Sequence, residues 1–127
     1  MFAGELLKEV NIPCEITFVR FSSYEGISTT NNVKELIGLN ESLENRTVVI
    51  LEDIVDSGNT IVELKRVLAT HNPKEVKVAT LLFKPDALKQ DITIDYVAME
   101  IPNDFIVGYG LDYDGLGRNL KNIYKVI

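Results

Sequence analysis

Cysteine and histidine are nearly absent from this 127-residue chain, which carries one of each. The lone Cys14 excludes an internal disulfide, so a reducing cytoplasm is the simplest compartment to expect. Cys14 itself reads as a small residue near a strand start. His71 reads as a structural residue in a last helical turn, where a cation suits the dipole. Basic residues are in deficit: 13 Lys and Arg against 19 Asp and Glu leave a net charge of −6. That balance argues against a nucleic-acid partner, whose phosphates call for Lys and Arg, yet it leaves room for a small phosphorylated ligand in one local pocket. No apolar run approaches the roughly 20 residues of a membrane-spanning helix, so no membrane partner is expected. The first residues carry Glu5 and Glu9 and lack the basic start of a secretory signal. Low-complexity tracts and internal repeats are missing too. What remains is ordinary globular composition, 46% hydrophobic and 25% charged, at a length that suits a single domain over residues 1–127.

A helix cap is also missing. Phe2, Ala3, Leu6, Leu7 and Val10 recur at helical spacing as one apolar stripe, yet no Ser, Thr, Asp or Asn precedes them. The chain begins inside a helical pattern: either a frayed terminal helix or one whose upstream segment lies outside this sequence. Pro13 ends that helix. Glu15–Phe21 alternates as a strand, polar Ser22–Asn32 reads as a mobile loop, and Val33–Leu39 as a return strand before a connector, Asn40–Arg46. Thr47–Asp53 is a near-continuous apolar run, as in a strand buried on both faces of a parallel sheet. Ile61, Leu64, Val67 and Leu68 mark a helix to about His71, stopped by Asn72-Pro73, and Glu75–Phe83 is the next strand. This strand, helix, strand order is a βαβ unit. Tyr96–Ile101, Phe105–Tyr109 and Ile123–Ile127 read as further short strands. The class is α/β with a mainly parallel sheet.

Ligands of such sheets sit beyond the carboxyl ends of the strands. There the chain runs Val48-Val49-Ile50-Leu51-Glu52-Asp53-Ile54-Val55-Asp56-Ser57-Gly58-Asn59-Thr60. Gly58 permits a tight turn and a close backbone approach. Ser57, Asn59 and Thr60 add hydrogen-bonding side chains, and the free N–H groups of the following helix point the same way. Together these form a phosphate cradle without a lysine. The acids repel a phosphate but can accept from ribose hydroxyls or hold a divalent cation through hard oxygens. Asp56, inside the turn, could exchange a proton at a reacting centre. The competing structural reading is a capped βα turn with Ser57 or Asp56 as N-cap; the clustering of so many such residues favours a ligand site. The segment is neither the Gly-x-x-x-x-Gly-Lys-Ser/Thr loop of ATPases nor a Gly-x-Gly-x-x-Gly dinucleotide turn.

This stretch resembles the phosphoribosyl-diphosphate motif of type I phosphoribosyltransferases. Lys84 at a strand end, then Glu100-Ile101-Pro102-Asn103-Asp104-Phe105-Ile106-Val107-Gly108-Tyr109-Gly110-Leu111-Asp112-Tyr113 and Gly117-Arg118-Asn119-Leu120, is similar to the purine-binding tail of the hypoxanthine and hypoxanthine-guanine branch. Ser23-Tyr24 fits the family's flexible lid. The resemblance implies a Rossmann-like, mainly parallel sheet flanked by helices. It also implies an activity in which a purine nitrogen displaces diphosphate from phosphoribosyl diphosphate to give inosine or guanosine monophosphate, in purine salvage. It assigns Glu52 and Asp53 to the ribose hydroxyls and Mg²⁺, Asp56 to the proton on purine N7, and Asp56 with Ser57, Gly58, Asn59 and Thr60 to the 5′-phosphate. Lys84 would donate to the purine 6-oxo group, Phe105 would stack on the base, and Ile106 would offer backbone groups to its edge. Asp112 would serve the purine site and the metal, Arg118 the diphosphate, and Ser23 and Tyr24 the closing lid. A homodimer or homotetramer is usual in the family.

One departure stands out. Family members carry an earlier strand ending in a short Lys-Gly-type loop on the diphosphate, and this sequence starts in the helix expected to follow it. The fold is therefore expected to be N-terminally incomplete, with a sheet interior turned into an edge and a partial diphosphate site. A non-catalytic nucleotide-binding or regulatory protein of the same fold, and an inactive fragment, stand as the alternatives to an active transferase.

Overall fold

The structure, a computed structural model, describes residues 1–25 and 32–127. Its centre is a three-stranded parallel sheet made of β3 (Thr47–Val55), β4 (Glu75–Phe83) and β5 (Tyr96–Glu100), in that spatial order. Before it come α1 (Phe2–Glu9) and an antiparallel pair, β1 (Arg20–Glu25) and β2 (Asn32–Ile37). Helix α2 (Asn59–Ala69) joins β3 to β4, and a second antiparallel pair, β6 (Ile106–Val107) with β7 (Tyr124–Lys125), closes the C-terminal part.

The core sits where α2 lies against the sheet. Ile61, Leu64 and Leu68 recur at helical spacing and are buried together with Ile50 and Val55 of β3 and Val78 of β4. Each such side chain contributes roughly 1.5–3 kcal/mol relative to an exposed one. Leu43, from the connector, completes the cluster, and Phe21 and Leu36 of the first antiparallel pair pack on it with Val19 and Leu39 from its flanks. The starts of β3 and β4 are tied by backbone bonds from Asn45 N to Asn72 O (3.1 Å) and from Lys74 N to Arg46 O (2.9 Å).

Sheet boundaries differ from the sequence reading: β2, β5, β6 and β7 shift or shorten by one to three residues, and the larger differences lie in β3 and the N-terminal part. β3 continues through Ile54 and Val55, so Glu52 and Asp53 lie within the strand, because Ile54 and Val55 still pair with Leu82 and Phe83. In the N-terminal part, β1 begins at Arg20 and not at Glu15. Ile16 and Phe18 are exposed, and the segment runs against Gly38, just past β2, where Thr17 Oγ1 donates to Gly38 O (3.1 Å). Ser22–Glu25, expected as loop, is strand because its backbone pairs with residues 32–35. The remaining expected loop, residues 26–31, lies outside the described residues. Among the described residues β3 is an edge of the central sheet.

Asp95 starts the other edge. The β4–β5 register begins at Ala79 opposite Tyr96, and one position earlier the N–H of fully buried Val78 donates to Asp95 Oδ2 at 2.7 Å. The carboxylate thus extends the ladder by one bond. Replacing Asp95 by Ala strands that donor, and the unfolding free energy in urea is expected to fall by about 1–3 kcal/mol. Asp95→Asn should lose less. An Ala variant as stable as the parent would remove Asp95 from the support of the sheet.

Candidate active site

β3 and β4 end level. Val55 is in register with Phe83, so Asp56 and Lys84 leave the sheet side by side, on strands about 4.8 Å apart. The Lys84 N–H donates to Val55 O at 3.0 Å, which ties the two exits together.

The turn after β3 leads straight into α2. Gly58, at φ 84°, is the N-cap, and no side chain caps the helix. Neither Ser57 nor Asp56 plays the capping role that a purely structural turn would need. Ser57 Oγ takes only the Asn59 N–H, at 3.4 Å. The first-turn N–H groups therefore remain available to a ligand. Beside them lies a cavity of about 90 Å³ lined by Glu52, Ile54, Val55, Asp56, Ser57, Gly58, Thr60 and Ile61. Asp56 is exposed, and its carboxylate accepts from the Ser57 N–H. Asn59 does not line the cavity: its Oδ1 accepts from Gln90 Nε2 at 2.8 Å. The side chain of one expected phosphate residue is thus engaged elsewhere.

Glu52 and Asp53 separate this cavity from a larger one. The second, about 200 Å³, is lined by Met1, Phe2 and Ala3 of the α1 start, by Leu51, Glu52 and Asp53, and by Tyr109 and Gly110. Glu52 lines both. Burial, and to a lesser extent the charge of Asp53, push its carboxyl up to about 7. Two adjacent carboxylates fit the way Mg²⁺ binds, through one or two carboxylates with the remaining positions filled by water and phosphate oxygens. Among the described residues no group of three acids, histidines or cysteines is gathered into a metal site. Asp112 does not complete a cluster with Glu52 and Asp53.

At the base end, Lys84 is buried, 8% exposed, which is rare for lysine. Among the described residues no ion pair engages its ammonium. Phe105 is 56% exposed and meets only Tyr113 edge to face, at 5.6 Å between ring centroids, so its ring is not a core residue. Val126 N donates to Phe105 O at 2.8 Å. In an antiparallel ladder the next pair, Ile106 with Lys125, is then of the non-hydrogen-bonded kind, which turns the Ile106 N–H and C=O away from β7. Asp112 has both oxygens engaged, Oδ2 by Gly115 N (2.9 Å) and Oδ1 by Arg118 Nη2 (3.0 Å). Arg118 Nη1 also donates to Gly110 O at 2.7 Å. Ser23 and Tyr24 lie in β1, paired at the backbone with Lys34 and Val33. Residues 26–31 of the expected mobile loop lie outside those described.

Two contributions escaped the sequence reading. Tyr109 and Gly110 line a cavity with the acids; they belong to the tail motif, but no role was expected of them. The segment after Lys84 presses on the turn after β3: Lys89 N donates to Ser57 O at 3.0 Å, beside the Gln90–Asn59 bond. No periodicity or motif marks that segment.

Two outcomes are expected. The folded carboxyl of Glu52, at about 7, lies above its ordinary 4.5. Between these values the folded state holds more protons than the unfolded one, so Glu52 costs stability as pH rises from about 4.5 to about 7, and no more beyond. Glu52→Gln removes this cost, and its melting-temperature advantage over the parent should widen between about pH 5 and about pH 8. An advantage that stays constant contradicts the raised carboxyl. Gly58→Ala meets both a positive φ of 84° and side-chain atoms of Leu88 and Ile92 at 2.9 and 3.0 Å. A loss of roughly 1–3 kcal/mol in urea unfolding is expected, and none if the turn relaxes freely.

Known proteins carry the same arrangement. The phosphoribosyl transferase domain family matches residues 1–114. Hypoxanthine phosphoribosyltransferase of Salmonella typhimurium is 41% identical over the whole chain, which spans 72% of that protein. Hypoxanthine-guanine phosphoribosyltransferase of Mycobacterium tuberculosis is 44% identical over 97% of the chain and 61% of its own length. Among solved structures, a hypoxanthine phosphoribosyltransferase from Staphylococcus aureus superposes with a TM-score of 0.84 at 36% identity, over 99% of this chain and 69% of that one. The ternary substrates complex of a Trypanosoma cruzi hypoxanthine phosphoribosyltransferase mutant gives 0.86 at 33% identity, over 99% and 70%. With this similarity running through both the acidic turn and the tail, the chain belongs to the phosphoribosyltransferase family, beside the hypoxanthine phosphoribosyltransferases it is similar to.

Proposed function

We propose that this chain transfers the phosphoribosyl group from phosphoribosyl diphosphate to hypoxanthine, and to guanine, forming the nucleoside monophosphate and diphosphate. One observation carries the reading: the uncapped turn after β3 and the buried Lys84 after β4 leave the sheet level, bonded through Lys84 N to Val55 O at 3.0 Å. A ligand lying across those strand ends has its phosphate at one end and a base at the other.

The chemistry follows from the groups at hand. A base nitrogen bonds to C1 of the ribose while the bond from C1 to the diphosphate oxygen breaks, and the diphosphate leaves with the electron pair. Positive charge grows on the sugar in between, and carboxylates fixed beside it stabilise that charge without reorganising. Glu52 and Asp53 take this place and accept from the ribose hydroxyls. They would also hold Mg²⁺, which when bound offsets the charge of the leaving diphosphate. Asp56 accepts the proton released from purine N7. The N–H groups of Gly58, Asn59 and Thr60 hold the 5′-phosphate by neutral donors and a helix dipole. Lys84 has only donors to offer, so it accepts a 6-oxo purine and rejects the 6-amino group of adenine. Phe105 supplies an exposed ring for stacking and Ile106 free backbone groups for the base edge. Arg118 offers a delocalised cation to the diphosphate. Ser23 and Tyr24 would close over the reaction and keep water from the sugar cation. The protein works in the cytoplasm, as a homodimer or homotetramer.

The decisive assay is formation of inosine monophosphate from hypoxanthine and phosphoribosyl diphosphate with Mg²⁺. Asp56→Asn should lower turnover roughly 100-fold or more, the scale of general acid–base catalysis, with little change in inosine monophosphate affinity by calorimetry. Unchanged turnover would remove Asp56 from proton transfer. Nucleotide binding without turnover in the parent would favour a non-catalytic binding protein on the same fold.

A further inference from the structure

We infer that the segment from Pro85 to Ile92 is a strap that holds the phosphate turn in shape, and that Gln90 is a positioning residue acting through Asn59. The inference rests on the proposed phosphate role of the turn. Its basis is a run of contacts from neighbouring strap residues to three consecutive turn residues. Lys89 N donates to Ser57 O at 3.0 Å. Leu88 and Ile92 stand where a Cβ on Gly58 would be, at 2.9 and 3.0 Å, with Gln90 Cβ at 3.4 Å. Gln90 Nε2 donates to Asn59 Oδ1 at 2.8 Å.

The physical need is clear from the turn itself. Gly58 is in the left-handed region and α2 has no side-chain cap; the local support is the Ser57 N–H donating to the Asp56 carboxylate and a long 3.4 Å bond from Asn59 N to Ser57 Oγ, which leaves the direction of the helix-start N–H groups weakly fixed. A cradle of backbone donors binds an anion well only if those donors already converge. The strap supplies what the missing cap does not. It touches the turn without lining the cavity, to which none of Leu88, Lys89, Gln90 or Ile92 contributes. Asn59, the first residue of α2, has its side chain committed to the strap, so it anchors the helix start instead of adding a ligand contact.

The strap also begins at Lys84. Pro85–Ala87 forms one 3-10 turn, closed by Ala87 N to Lys84 O at 3.1 Å. One short segment therefore joins the base-end lysine to the phosphate turn, and the spacing between the two ends of a nucleotide is set twice: by the strand register and by the strap.

The test measures inosine monophosphate binding by calorimetry for the parent, Gln90→Ala, Asn59→Ala and the double variant, with ³¹P and ¹H spectra of the bound nucleotide. Gln90→Ala should weaken binding about threefold to tenfold, as for loss of one hydrogen bond. The double variant should be no worse than the weaker single, because both remove the same contact. The bound phosphorus resonance should move while the purine H2 and H8 resonances stay in place. Unchanged affinity in Gln90→Ala, additive losses, or phosphorus and purine signals moving together would overturn the strap. A parent that binds no inosine monophosphate would instead overturn the proposed function.

Discussion

Everything in the site hangs on the parallel register of β3 and β4. Nine residues of each strand, Thr47 to Val55 and Glu75 to Phe83, run side by side and stop at the same level. Parallel pairing cannot be made by a hairpin, so α2 must cross between them, and its N-terminus necessarily starts where β3 ends. The same pairing that buries Ile50, Val55 and Val78 against Ile61, Leu64 and Leu68 thus delivers uncapped helix N–H groups and a buried lysine to one end of the sheet. Stability and site come from one act of packing. A slip of one residue in that register would turn core side chains to the opposite face of the sheet and separate Asp56 from Lys84.

The electrostatics are built on the same economy. On the proposed reading, a chain of net charge −6 attracts its phosphorylated ligand with neutral donors at the turn. The acids sit one step back, in the strand. Glu52 faces both cavities from a half-buried position, and its raised carboxyl records first its burial and then the negative charge of Asp53 beside it. A cation or a developing sugar charge at the proposed site would favour its ionised form.

Much of this was legible from residue pattern alone. Glu75–Phe83 was readable to the residue, because an apolar run between Pro73 and Lys84 has sharp ends. The acidic turn was readable because its residue types have few other uses together. The limits came from contacts distant in sequence. Ser22 to Glu25 has no strand pattern of its own and is strand only through its partner residues. β3 outran its apolar run, since the ladder to Leu82 and Phe83 holds regardless of what precedes it. The Gln90–Asn59 bond joins residues 31 apart that no local rule connects.

The C-terminal tail poses a different question, because Asp112 and Arg118 are already spoken for. Each has its proposed ligand's place taken by the other, and Gly115 and Gly110 take the rest. The pair is largely open to water, with Arg118 62% and Asp112 36% exposed, and pairs of that kind are worth only about 0–1 kcal/mol. A diphosphate offers the guanidinium two bidentate charged acceptors in place of one carboxylate, so exchange costs little and returns stronger bonds. Until then the pair closes the loop between Asp112 and Arg118, and Arg118 holds the backbone of Gly110, which lines the same cavity as Glu52 and Asp53. A weak internal pair is the suitable device here: a stronger one would compete with the ligand, and none at all would leave the tail to be ordered at the moment of binding.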